Sequence, residues 1–195
     1  MPTSRLEAFS DGVIAIAITL LVLEIKIPSR EGASLAHALL DQWPAYLSYA
    51  VSFLTVGIIW VNHHSMFSHL GRADPVVHFL NLGLLMTIAF VPLPTAVVAE
   101  FIERSSDERA AAVLYGALFT LMAVFFNVLW QYMIRKPGLL RADADPRQIE
   151  AISRSYRPGI PLYGLATTVA FLSPIASVAL FGAIALFYML SPLRR

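Results

Sequence analysis

Residues 4–24 read SRLEAFSDGVIAIAITLLVLE, a charged head that runs directly into an apolar segment of helix length. Between Asp11 and Glu24 nothing is ionisable, and the interior is Ile, Leu, Val and Ala with one Gly and one Thr. Such a run reads as a membrane-spanning helix. Two features set it apart from plain apolar filler. Arg5, Ser10 and Asp11 lie where an ordinary span would already be greasy, and Ile16, Leu20 and Leu23 recur at i, i+4 and i+7, on one helical face. Spacing alone leaves that face three uses: contact with lipid, packing in a core, or lining of a pore.

Composition agrees with the membrane reading. Of 195 residues, 57% are hydrophobic and 14% charged, against roughly 45–50% and 25% in soluble domains. The length allows about six spans of about 20 residues with short loops, and leaves no room for a sizeable soluble domain. A net charge of +1, with 14 Lys and Arg spread over several loops, argues against nucleic-acid binding. Without cysteine there is no disulfide framework, thiol nucleophile or thiolate metal site. Ala36 and Ala38 form an A-x-A pattern after the first apolar run, but Glu7 and Asp11 spoil a positive n-region, and Glu24 and Lys26 would fall in an overlong c-region. The first span is therefore expected to be retained.

Prolines and charged strings divide the rest. The first span is expected from about Ser4 to Ile27, and a second from Trp43-Pro44 through Phe67. Pro75 opens a third, which Pro92 and Pro94 should kink or break by removing backbone donors. ERSSDERA makes a loop before a fourth span that ends near Ile134. A polar stretch follows, with an amphipathic helix expected over Pro146–Tyr156. Two last spans are separated by Ser173-Pro174, the fifth starting near Ile152 because the 13 residues from Ile160 to Leu172 are too few to cross. With the N-terminus inside, ten Lys and Arg fall on the cytoplasmic side and four outside, which supports an N-in, C-in topology with six helices. The expected architecture is thus an all-α integral membrane protein, one six-helix unit over residues 1–195.

Several constellations bear on chemistry. Thr55-Val56-Gly57 lacks the rest of a backbone selectivity filter and reads as mid-helix. Trp60, Asn62, His63, His64, Ser65 and His69 cluster at the depth of Arg5, Ser10 and Asp11, and an ionised Asp11 needs a partner there, Arg5, His63 or His64 being the natural ones. Adjacent His63 and His64 point apart on a helix, so no metal site is expected. His78 with Asn81, and Asn127 with Gln131, read as interhelical glue. Glu100 reads as a solvated interfacial carboxylate. Neither a nucleophile elbow nor facing carboxylates suggest an enzyme, and no cofactor motif is present.

Read together, R-x-x-x-F-S-D at Arg5, Phe9, Ser10 and Asp11, the following AIAITLLVLEIKIP, and W-x-N-H-H at the end of the second span resemble the bacterial branch of the transmembrane protein 175 family of potassium channels. One copy of the motif is present, so the resemblance implies a homotetramer in the bacterial plasma membrane, with potassium and other monovalent cations as permeant partners and lipid around it. It further implies that the first helix lines a central pore, with Ile16, Leu20 and Leu23 as the hydrophobic constriction, Thr19 adding a hydroxyl ring, and Arg5, Phe9, Ser10, Asp11, Trp60 and His64 forming an intracellular structural network. The other reading is a small secondary transporter or proton leak pathway that uses the third-span prolines and the second-span histidines.

Overall fold

The computed structural model describes residues 3–26, 34–102 and 107–190. Among these the secondary structure is helical, save one isolated bridge between Leu70 and Leu140. Helix α1 (Thr3–Leu20) tightens into a 3-10 turn at Leu21–Glu24. Ser34 caps the short α2 (Leu35–Leu40) by accepting from the His37 amide, an element with too little periodicity to stand out in the sequence. Helix α3 (Trp43–Ser68) carries Pro44 in its first turn, where no intrahelical donor is missed.

Asp74 starts α4 (Pro75–Ala89) by accepting the Val77 amide at 2.9 Å. The chain then breaks at Phe90-Val91 and resumes as α5 (Pro92–Phe101), because neither Pro92 nor Pro94 can donate to the turn before it. The third span is therefore broken where its prolines said it would be. Helix α6 (Glu108–Arg135) has 28 residues, roughly 42 Å of helix. Asp145 caps α7 (Pro146–Tyr156), which coincides with the expected amphipathic helix. After it come α8 (Gly159–Val169) and α9 (Pro174–Leu190).

Among the described residues, four stretches are long and apolar enough to cross a membrane: Thr3–Glu24, Trp43–Ser68, Pro75–Phe101 and Glu108–Arg135. Helices α8 and α9, with 11 and 17 residues, are shorter. The continuous fifth helix expected from Ile152 onward is instead two helices parted at Arg157-Pro158. Pro158 cannot donate to the Arg154 carbonyl, nor Pro161 to that of Arg157.

Packing runs in layers. Helix α1 rests on α3, α4 and α5; α6 packs on the other side of α4 and α5 and against α8 and α9. Two close approaches fix the α6 interfaces. A Cβ on Gly83 would meet the Phe125 ring at 2.4 Å, and one on Gly116 would meet Thr167 Oγ1 at 2.6 Å, so both glycines are where helices touch. The core between α6, α8 and α9 is aromatic, with Tyr115, Phe119, Tyr163 and Phe181 in mutual ring contact. The polar tip of Tyr115 is met by Ser52 Oγ at 3.0 Å, which also bonds Thr95 Oγ1 at 2.8 Å. Buried hydroxyls thus satisfy one another across three helices.

Candidate functional site

The geometry of α1 defines the site. Leu6, Ser10, Ile14, Ala17 and Leu21 are buried against the neighbouring helices. On an exposed face roughly a third of a turn round the helix, Phe9 is 53% exposed, Ile16 62%, Leu20 42% and Leu23 71%, a bare apolar stripe along the helix. Phe9 lies seven residues before Ile16, so it belongs to this stripe by position and not to the polar shell. Thr19 is exposed beside the stripe, and its hydroxyl donates back to the carbonyls of Ala15 and Ile16, both at 2.9 Å. The oxygen lone pairs remain available on that face.

The buried face is anchored by polar bonds near its start. Ser10 Oγ donates to the Leu6 carbonyl at 2.8 Å and accepts from Asn81 Nδ2 at 2.9 Å. The amide oxygen of Asn81 bonds His63 Nε2 at 2.9 Å, and the His63 ring stacks on Phe67 at 4.1 Å. Ser10, His63 and Asn81 are fully buried, so the chain ties α1, α3 and α4 together where no water can substitute. Asn81 does act as interhelical glue, although His78, its expected companion, instead uses Nδ1 on the Asp74 carbonyl.

A second tie runs along the rim of α1 and α3. Trp60 Nε1 donates to Asp11 Oδ1 at 2.9 Å, and His64 Nδ1 lies 2.8 Å from Glu7 Oε1. Glu7 with Asp11, and Trp60 with His64, are each one turn apart on helices running in opposite directions, so the two contacts form successive rungs. Asp11 is thus held by an indole, and not by Arg5, His63 or His64. Arg5 is exposed and makes no polar contact among the described residues. Sequence reasoning passed over Glu7 as a partner; the matching i, i+4 spacing of acids on α1 and of donors on α3 was the signal for it.

At the other end of α1, Lys26 Nζ reaches Glu100 Oε2 at 2.7 Å and so links the end of the first span to α5. Thr55 is buried in mid-helix with its hydroxyl on the Val51 carbonyl, in keeping with an uninterrupted α3. Asn127 bonds the Ala123 carbonyl of its own helix, and Gln131 makes no hydrogen bond among the described residues, so this pair is not glue. Among the described residues no group of three or more His, Asp or Glu could hold a metal ion.

Comparison with known proteins agrees with this architecture. Residues 5–92 match the family model described as endosomal/lysosomal potassium channel TMEM175. A protein of Streptomyces collinus named potassium channel is 43% identical over 187 residues, covering 95% of this chain and 91% of that one. The crystal structure of a lysosomal potassium-selective channel TMEM175 homolog from Chamaesiphon minutus superposes with a TM-score of 0.88 at 41% identity, covering 97% of both chains. The human endosomal/lysosomal proton channel TMEM175 is 34% identical over 65% of this chain and 27% of its own length. Four apolar helices of spanning length, a buried polar anchor beneath the first, and likeness across nearly the whole chain lead to one assignment: the protein belongs to the TMEM175 family, a family of multi-pass membrane ion channels and not of enzymes.

Proposed function

We propose that the chain is a potassium-permeable cation channel of the bacterial plasma membrane, a single six-span unit with both termini inside, four copies of which surround a pore lined by α1. The observation that carries this is the bare apolar face of α1. A polar network fixes one side of the helix, so the exposed stripe is aimed away from the subunit in a defined direction. Four such faces meeting on an axis would form rings of Ile16, Leu20 and Leu23. Aliphatic rings offer no oxygen ligands, so an ion must carry or partly shed its water, which favours the less tightly hydrated potassium over sodium. The same neck can close by dewetting. Four Thr19 hydroxyls, with donors turned back to their own helices, would present lone pairs to a cation beside the neck. Ser10, Asp11, Trp60 and His64 hold the pore helix from behind and from its rim.

The test is cation flux through purified protein in liposomes, expected to be faster for potassium than for sodium. Folded protein that passes neither ion contradicts the proposal. A second reading, proton permeation, is favoured by the naming of the vertebrate relatives as proton channels and by the buried His63 within a hydrogen-bonded chain. A pH-sensitive dye in the same liposomes separates the two, since a proton pathway acidifies the lumen without potassium present.

A further inference from the structure

We propose that the groove between the C-terminal end of α6 and the α7–α8 junction binds the phosphate headgroup of an anionic phospholipid. It is a cavity of about 760 Å³. Arg135 and Lys136 reach it from the end of α6, Arg157 from the junction, and Asn127 and Gln131 line its wall one helical turn apart. No carboxylate lines it. The acids in contact with these cations are Asp74, 3.5 Å from Lys136, and Glu150, 3.5 Å from Arg157; the half-buried Asp74 and the Tyr132 ring beneath the ammonium compensate Lys136, whereas the exposed Glu150 leaves Arg157 largely uncompensated. Arg135 has no polar partner among the described residues, and neither has Gln131; the Asn127 carbonyl is likewise left over, since only its NH₂ is used. Helix α8 begins at Gly159 beside the groove, which adds the positive end of its dipole.

The order of these groups along α6 matches a phospholipid. Arg135 and Lys136 stand at the water end for the phosphate, the amides of Gln131 and Asn127 lie one and two turns deeper, where ester carbonyls sit, and Val128 and Ile160 supply apolar wall for an acyl chain. A free phosphate would use only the outer half. The groove also faces the right way: α1 packs on α3, α4 and α5, while the groove is built from α6, α7 and α8 beyond them, so with α1 at the axis it opens toward lipid. It lies at the end of the bundle that carries Arg5 and His69, the cytoplasmic end under the topology proposed above, on which this inference rests.

Native mass spectrometry of the full-length oligomer tests it. The protein released from mixed phosphatidylglycerol and phosphatidylcholine micelles is expected to retain one phosphatidylglycerol per chain and no comparable phosphatidylcholine. Arg135→Gln with Arg157→Gln should weaken that retention roughly fivefold for each cation removed, with the oligomer mass unchanged. Equal retention of both lipids by the unaltered protein overturns the proposal without recourse to any variant, as does undiminished retention by the folded double variant. Inorganic phosphate that competes away the lipid at equal concentration would show a free-anion site instead. Because the readout is bound mass, loss of potassium flux with lipid retention intact would fault the channel reading and not this one.

Discussion

One face of α1, through Leu6, Ser10, Ile14, Ala17 and Leu21, is buried against the rest of the chain, while a second face, through Phe9, Ile16, Leu20 and Leu23, is bare although it is just as apolar. Hydrophobicity cannot have chosen between them. In a bilayer lipid tails are as apolar as leucine, so turning the helix about its axis changes little through apolar burial alone. Polar pairing does choose. Ser10 must face Asn81 to satisfy a buried amide that also serves His63, and Asp11 must reach Trp60. A rotation of one residue step would strand these groups at a cost that apolar contacts cannot offset. The anchored face therefore sets the direction in which the bare face points.

The largest expected effect comes from cutting the anchor. Asn81→Leu leaves Ser10 and His63 short of a buried partner, each worth about 1–3 kcal/mol. A large fall in thermal midpoint and loss of the oligomer on gel filtration are expected; an unchanged midpoint would mean that the apolar contacts set the rotation after all. Next in size is Ile16→Asn or Leu20→Asn, which places an amide on the bare face without touching the anchor. Folding should persist, while the potassium-to-sodium flux ratio in liposomes should fall toward one. An unaltered ratio would move the pathway off this face. On the far side of the bundle, Gly116→Ala drives a methyl into Thr167 and should cost about 1–3 kcal/mol in stability, with the flux ratio intact in what remains folded. Trp60→Phe removes one rim bond between partly exposed groups and should cost about 1 kcal/mol. A cost as large as that of Asn81→Leu would promote the rim above the buried chain.

The smallest effect is a pH dependence at the start of α4. The Val77 amide, then the Tyr132 hydroxyl and the Lys136 ammonium, hold the Asp74 carboxyl below its usual range. Its stabilisation is therefore in force above the ordinary carboxylate value and is lost as pH falls through the depressed folded value. Thermal midpoints of the parent chain should drop in that acid window more than those of Asp74→Asn, in which the side chain still caps the helix without titrating.

Much of the layout could be read from punctuation. Pro44, Pro75, Pro92, Pro146 and Pro174 sit at helix starts because a missing N–H costs nothing there, and that rule needs no partner. The same logic applied less well at Pro158, where an apolar-length argument for a continuous fifth helix outweighed a local breaker that the structure obeys. Side-chain partners were less legible still. Whether Asp11 meets an arginine, a histidine or an indole depends on the rotation and depth of two helices, and a charge argument ranks the cations first although Trp60 is the group within reach. Asn127 and Gln131 looked like glue because polar residues in apolar helices usually are; only the packing of α6 against α8 shows them turned to a groove.

The chain has no cysteine, so a single introduced thiol reports on one position. The most direct test compares potassium flux in liposomes before and after a membrane-impermeant thiol reagent for Leu20→Cys, on the bare face of α1, and for Leu82→Cys, equally exposed on α4. Block of the first with the second untouched is the predicted result. Flux through Leu20→Cys that survives complete modification of the thiol would contradict a pathway along α1.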